Sequence, residues 1–260
     1  MRKIYAFLLT AMLLCIGCEW RLSSVEDNSD WLLSVNRYDR IQSLYLTTGD
    51  FSALQQMNTD YPQQTRTLIE DVLHIGQVND PQINQKFLNF SQDSILQTLI
   101  AETQHQFADM SDINQQLSDA FERLLKEMPW LCLPEVYAQI GSLDQSIIVG
   151  NDMLGISLDK YLGRDYPLYQ KYGYSKQQRE TMQRDNIVPD CIGFYLLSLY
   201  PLPTDTAVTQ QQRDEHIGRI QWVVNHVMKR RVFNTAYTQA VDRYMKSHHK
   251  VTVGQLLRQD

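Results

Sequence analysis

The chain has 260 residues, of which 24 are basic and 30 are acidic, and its formal net charge at pH 7 is −6. This acidic balance argues against nucleic acid as a partner, because nucleic-acid binding needs a concentrated basic face. It also argues against broad electrostatic attachment to anionic lipid. The length is sufficient for one substantial hydrophobic core or two small ones.

The first 18 residues have the pattern of a bacterial export signal. Two basic residues are followed by the uncharged apolar residues 4–14, and Gly17 then precedes Cys18. About ten apolar residues are too few to span a bilayer of roughly 30 Å as a helix. A small residue before a cysteine is typical of the site at which bacterial lipoproteins are cleaved and acylated. The sequence therefore predicts removal of residues 1–17 and lipidation of Cys18. The alternatives are an ordinary cleaved signal and an uncleaved apolar anchor.

The region after the signal is predicted to connect the lipid to one folded domain. Residues 18–35 are mostly polar and are predicted to form a flexible tether, and residues 36–260 are predicted to form a single domain. Membrane attachment would then come from the acyl chains, since one chain binds marginally and several bind firmly. The predicted location is the cell envelope, with the outer membrane favoured over the inner one.

Apolar periodicity predicts helices over most of residues 36–128. The clearest helix is the segment SDINQQLSDAFERLLKEMP, in which the apolar side chains fall on one face before Pro129. After Pro129 the chain continues with two short apolar segments, CLPEVYAQIG and SIIVGNDMLGISL. They contain several Ile and Val residues and a Gly-Asn-Asp break, which indicates two or three strands with a tight turn.

Helices are predicted again in the last third of the chain. They correspond to SKQQRETMQRD, to PDCIGFYLLSLYP, to residues 205–231 and to residues 234–248. The second of these segments is apolar on all sides and is predicted to be deeply buried. The elements together predict a single α+β domain, mostly helical, around a small antiparallel or mixed sheet.

Only Cys132 and Cys191 remain besides Cys18 in the predicted mature chain. Export would permit a disulfide between them. Both lie in apolar segments, however, and unpaired cysteine is among the most buried residue types. The sequence favours two free thiols and leaves the disulfide as the alternative.

One segment carries a family resemblance. It is GNDMLGISLDKYLGRDYPLYQKYGY, and it follows the helical region that starts with NRYDRIQSLY. This order of elements resembles the gliding-motility-associated lipoprotein GldB family, most specifically through LDKYLGRDYPLY at residues 158–169. The resemblance covers roughly residues 35–205 and weakens in the last fifty. It implies a lipoprotein of the cell envelope that is associated with gliding and its secretion machinery.

The family's arrangement is in turn similar to predicted zinc peptidases of the zincin type. In those proteins a strand pair precedes a helix with HExxH, whose two histidines bind zinc while the glutamate activates water. The helix at the corresponding place is NIVPDCIGFYLLSLYP, which contains no histidine, and none of the six histidines begins an HExxH. The resemblance thus implies a zincin-like fold without its ligands. We predict no catalytic residue, no metal and no cofactor.

The segment around LDKYLGRDYPLY is the best candidate for a binding surface. The candidate residues are Asp159, Tyr161, Arg164, Asp165, Tyr166 and Tyr169. Tyrosine offers a broad contact area and one hydrogen-bonding tip at a small entropic cost, which suits recognition. The competing interpretation is an ordered loop that is packed by its own aromatic rings, with hydroxyl groups bound to the backbone. Asp159 is predicted to cap a short helix that carries Tyr161.

The predicted function is a non-enzymatic envelope lipoprotein that binds another envelope protein. The alternative is an envelope hydrolase with a degenerate or unrecognised zinc-peptidase-like site. A third interpretation is a carbohydrate or peptidoglycan binder that uses the tyrosines.

Overall fold

The computed structural model describes residues 33–150, 152–202 and 208–258. The predicted signal, Cys18 and nearly all of the predicted tether lie outside the described residues. The part from Leu32 to Asp260 forms one compact unit.

Helices dominate the described part of the chain, as predicted. Before the sheet they are α1 (Tyr38–Thr48), α2 (Phe51–Asp60), α3 (Pro62–Thr67, continued by a π-helical turn at Leu68–Val72), α4 (Ile83–Ser91), α5 (Ser94–Gln106) and α6 (Ser111–Glu127). After the sheet they are α7 (Pro167–Lys171), α8 (Lys176–Thr181), α9 (Ile187–Leu199), α10 (Gln210–Met228), α11 (Ala236–Ser247) and α12 (Val253–Leu257).

Helix α6 shows why apolar periodicity in the sequence predicts a helix with one buried face. Its buried side chains recur every three or four residues, which places them along one side of the helix. These buried residues are Ile113, Leu117, Ser118, Ala120, Phe121 and Leu124. The helix ends just before Pro129, which cannot continue the backbone hydrogen-bond ladder. The stripe packs against α9 and α10 and anchors both of them to the core.

Two or three strands were predicted, and three form a small mixed sheet. They are β1 (Glu135–Gln139), β2 (Ile147–Gly150) and β3 (Met153–Ser157), in the order β1-β3-β2. β3 is parallel to β1 and antiparallel to β2. Gly155 in β3 is required here, because a Cβ atom at this position would lie 2.6 Å from the ring of Tyr137 on β1.

The two ends of the sheet carry different segments of the chain. Because β1 and β3 are parallel, the chain leaves both strands at the same end, which we call the loop end and which carries residues 140–146 and 158–174. The opposite end carries residues 129–134, which precede β1, and the turn between β2 and β3. We call this the groove end.

In the last third of the chain one prediction is corrected and one helix was missed. Helix α9 is not deeply buried on all sides, since Phe194 and Leu199 are 40% and 43% exposed. Its other face packs on α6, α10 and the sheet, and the exposed face has no covering element among the described residues. The short helix α12 was not predicted, because five residues carry too little periodicity to be recognised.

The structure separates the two cysteines that follow Cys18. Cys132 is exposed, Cys191 is buried, and both are free thiols. The favoured prediction of unpaired cysteines agrees with this arrangement. Burial raises the pKa of the Cys191 thiol above its ordinary value, which keeps it protonated and unreactive.

Candidate functional site

The centre of the loop end is the buried carboxylate of Asp159. It lies in a 3-10 turn (Leu158–Tyr161) directly after β3 and has no solvent exposure. Its Oδ1 accepts a hydrogen bond from the N–H of Gly141 at 2.7 Å, and its Oδ2 accepts one from the N–H of Leu143 at 2.5 Å. The predicted helix cap is therefore wrong, because both oxygens bind the loop that follows β1 instead of the turn that carries Tyr161.

These two hydrogen bonds hold a strained backbone. Ser142 and Leu143 have φ values of 55° and 66°, in the left-handed region that residues with a side chain disfavour by about 1–2 kcal/mol each. Burial raises the pKa of Asp159 above its ordinary value, while the Gly141 and Leu143 N–H groups act to lower it.

Lys160 binds the carbonyl groups of the same loop. Its side chain is 8% exposed, and its Nζ donates to the carbonyl oxygens of Leu143 at 3.2 Å and Asp144 at 3.1 Å. Nζ also donates to the hydroxyl of Tyr174 at 2.7 Å. Asp159 accepts hydrogen bonds from N–H groups of this loop, and Lys160 donates to its C=O groups. These two adjacent residues therefore fix residues 141–144. We call Asp159, Lys160 and residues 141–144 the loop clamp.

Three tyrosine hydroxyls of this segment are used inside the protein. The hydroxyl of Tyr169 donates to the carbonyl oxygen of Asp159 at 2.7 Å and accepts from the N–H of Leu162 at 2.8 Å. The hydroxyl of Tyr174 donates to the carbonyl oxygen of Leu143. That of Tyr161 donates to Oδ2 of Asp190 at 2.8 Å. These contacts are those that the packed-loop interpretation expects.

The accessible part of the segment is its tip. The side chains of Arg164 and Asp165 are 55% and 88% exposed and lie 3.5 Å apart. Arg164 also pairs with Glu180 at 3.3 Å, and Tyr166 is half-buried beside them. A surface cavity of about 320 Å³ adjoins these residues and is lined by Arg164, Asp165, Lys176, Arg179 and Glu180. We call Arg164, Asp165, Tyr166 and Glu180 the Arg164 surface.

The structure thus divides the six predicted site residues into two groups. Asp159, Tyr161 and Tyr169 are buried and cannot themselves contact a partner. They make hydrogen bonds within the domain, whereas Arg164, Asp165 and Tyr166 at the tip can be reached from solvent. The sequence analysis missed the loop clamp, because Gly141 and Leu143 lie 18 and 16 residues from Asp159 along the chain.

Asp190 provides a pH-dependent prediction at the same end of the domain. It lies in the first turn of α9, and burial raises the pKa of its carboxyl to about 7. The unfolded chain has the ordinary carboxyl pKa of about 4, so the folded state binds the proton more tightly. The contribution of Asp190 to the free energy of unfolding therefore falls as pH rises from about 4 to about 7 and is constant above that range.

We expect Asp190→Asn to remove this loss, because the amide oxygen still accepts from Tyr161. The variant should match the wild type near pH 4 and exceed it by about 2 kcal/mol at pH 8, about half the full effect of the pKa difference because residue 190 as a whole keeps some solvent exposure. Urea unfolding at a series of pH values checks this. A variant that is equally or less stable at pH 8 would contradict the burial argument.

Two further observations concern the described residues as a whole. No described helix combines the length and the apolar character needed to cross a membrane. Within the described ranges, no three His, Cys, Asp or Glu side chains are grouped closely enough to hold a metal ion.

The fold and site define a class: a mostly helical α+β domain whose small mixed sheet carries a clamped loop with an exposed tip. The sequence model of a family described as gliding motility protein GldB matches residues 22–230, and the chain belongs to this family. Membership indicates a gliding-motility lipoprotein that lipid holds in the cell envelope. The match extends beyond the resemblance noted in the sequence and ends before α11. No curated protein and no solved structure matches the chain.

Proposed function

We propose that this protein is a non-enzymatic lipoprotein, anchored in the outer membrane through Cys18, whose domain binds another protein of the envelope through the Arg164 surface. The partner is a component of a secretion or motility assembly. Family membership supports the lipoprotein class, and the arrangement of the loop end supports the binding role.

One observation carries the binding role. A rigid, buried framework holds a tip whose charged side chains are exposed. The loop clamp fixes the turn that precedes Leu162, and the hydroxyl of Tyr169 binds the N–H of Leu162 itself. On the other side of Leu162, Arg179 donates to the carbonyl oxygen of Arg164 at 3.1 Å. A pre-organised surface loses little conformational entropy on binding, so more of its contact energy contributes to affinity. Arginine and tyrosine are also the residue types that most often dominate binding energy at protein interfaces.

The test is photocrosslinking in intact cells. Tyr172 is 56% exposed and lies eight residues after Arg164 in the same segment, so a photoreactive phenylalanine derivative at this position would capture a protein bound to the segment. Mass spectrometry then identifies the product. We expect Arg164→Glu to reduce the crosslinked product at least about tenfold, since loss of a central arginine costs about 2 kcal/mol or more at many interfaces. The melting temperature should remain unchanged, because Arg164 is exposed and makes only surface ion pairs.

Arg243→Glu provides the matched control. Arg243 is exposed on α11, and its reversal makes the same change in net charge away from the loop end. This variant should give the wild-type amount of crosslinked product. Equal capture by Arg164→Glu and the wild type would contradict the proposed binding surface.

A further inference from the structure

The groove end has an unusual concentration of exposed apolar side chains. Four of the eight exposed large apolar side chains among the described residues lie there: Trp130 at 54%, Leu133 at 36%, Val149 at 37% and Leu199 at 43%. A groove of about 780 Å³ runs between the loop before β1, the β2–β3 turn and the last turn of α9. Exposed apolar surface of this kind marks a contact site.

The side chains of this groove are fixed in place. The ring of Trp130 lies against Gly254 of α12, where a Cβ atom would be only 2.7 Å from the indole. The Arg258 guanidinium lies 5.6 Å from the same ring. The hydroxyl of Tyr195 donates to the carbonyl oxygen of Cys132 at the base of the groove. The groove is therefore a formed surface of the folded domain.

The chain enters the domain from this same end of the sheet, as two independent contacts show. Asn36 forms a parallel bridge with Tyr137, so the residues before Asn36 and those before β1 lie toward the same end of the sheet. The N–H of Val35 donates to Asn114 at 3.0 Å, and that of Leu33 donates to Ser118 at 2.6 Å. Going back from Val35 to Leu33 thus follows α6 toward its C-terminal end, beyond which Trp130 lies.

The chain that precedes Leu33 is short. Cys18 is 15 residues before Leu33, so the anchor and the domain can be separated by at most about 50 Å of fully extended chain. The groove end is thus the end of the domain from which the chain continues toward Cys18.

We propose that the groove end contacts the lipid bilayer and that Trp130 inserts into its interface. This rests on the lipid anchor of the proposed function. Tryptophan suits the membrane interface, because its ring is apolar while its N–H can stay hydrated. The two charged residues of the groove, Asp152 and Arg258, have opposite signs, so contact requires no anionic lipid. The Arg164 surface, at the opposite end of the sheet, then points away from the membrane toward its partner.

The test uses Cys132, an exposed thiol in the groove. The acylated protein is labelled there with an environment-sensitive fluorophore and added to preformed phosphatidylcholine vesicles that contain spin-labelled lipid. The matched control carries Cys132→Ser with Gln177→Cys, which moves the label to an exposed site on α8 near the loop end. We expect the lipid spin label to quench the Cys132 label at least about threefold more than the Gln177 label, and aqueous iodide to show the reverse order.

The outcomes are distinct. Equal quenching by lipid at both positions would overturn the proposal, and so would a Cys132 label that is shielded from iodide without quenching by lipid, which would indicate a protein in the groove. If the acyl anchor does not bind the bilayer, neither labelled protein will float with the vesicles in a density gradient. That result would contradict the anchoring claim as well.

Discussion

Replacing Asp159 by alanine is expected to lower the free energy of unfolding by about 3 to 5 kcal/mol. The change leaves the N–H groups of Gly141 and Leu143 buried without an acceptor. An unpaired buried donor costs about 1–3 kcal/mol, so the two unpaired N–H groups account for the expected loss. The left-handed backbone at Ser142 and Leu143 also loses the contacts that hold it.

Urea unfolding with circular dichroism measures this effect. Asp159→Asn should cost less than alanine, because the amide retains one acceptor oxygen but presents a donor to the second N–H group. Asp165→Asn is the matched control, since that carboxylate is 88% exposed in the same segment and its replacement should leave the unfolding midpoint unchanged. An Asp159→Ala protein with wild-type stability would show that the hydrogen bonds of Asp159 do not stabilise the domain.

Replacing Cys18 by serine is expected to release the protein from the membrane fraction. Serine has no thiol to carry the diacylglycerol, and the acyl chains supply most of the membrane affinity. A few interfacial side chains at the groove end bind too weakly to survive washing. The released protein should remain folded, because the described domain begins at Leu33, well after Cys18.

Cell fractionation followed by a high-salt wash provides the measurement. Cys132→Ser is the matched control, since it removes the exposed thiol of the domain and should stay with the membranes. Retention of Cys18→Ser in the washed membranes would contradict anchoring by lipid.

The sequence predicted the main features of the fold because these depend on local patterns. The apolar stripe of α6 and the break between β2 and β3 are visible within windows of about ten residues. The exposure of Phe194 and Leu199 was not predictable in this way, since apolar periodicity does not reveal whether another element covers a helix face. The parallel pairing of β1 with β3 likewise depends on contacts between distant segments.

The site was predicted only in part, for the same physical reason. The sequence marked the segment that holds both the loop clamp and the exposed tip, because Asp159 to Tyr169 contains an unusual number of tyrosines and charges. It could not separate the buried Asp159 from the exposed Asp165, since both are aspartates in one short polar stretch. The difference arises from Gly141 and Leu143, whose N–H groups approach Asp159 only after the sheet has formed.

The central claim is that acyl chains at Cys18 attach this domain to the envelope, with the tip at Arg164 free to bind. The most direct test is mass spectrometry of the N-terminus of the protein purified from its native membranes. The account predicts that the first residue is Cys18 and that it carries a diacylglycerol group. An unmodified Cys18 thiol, or a chain that still begins at Met1, would contradict it.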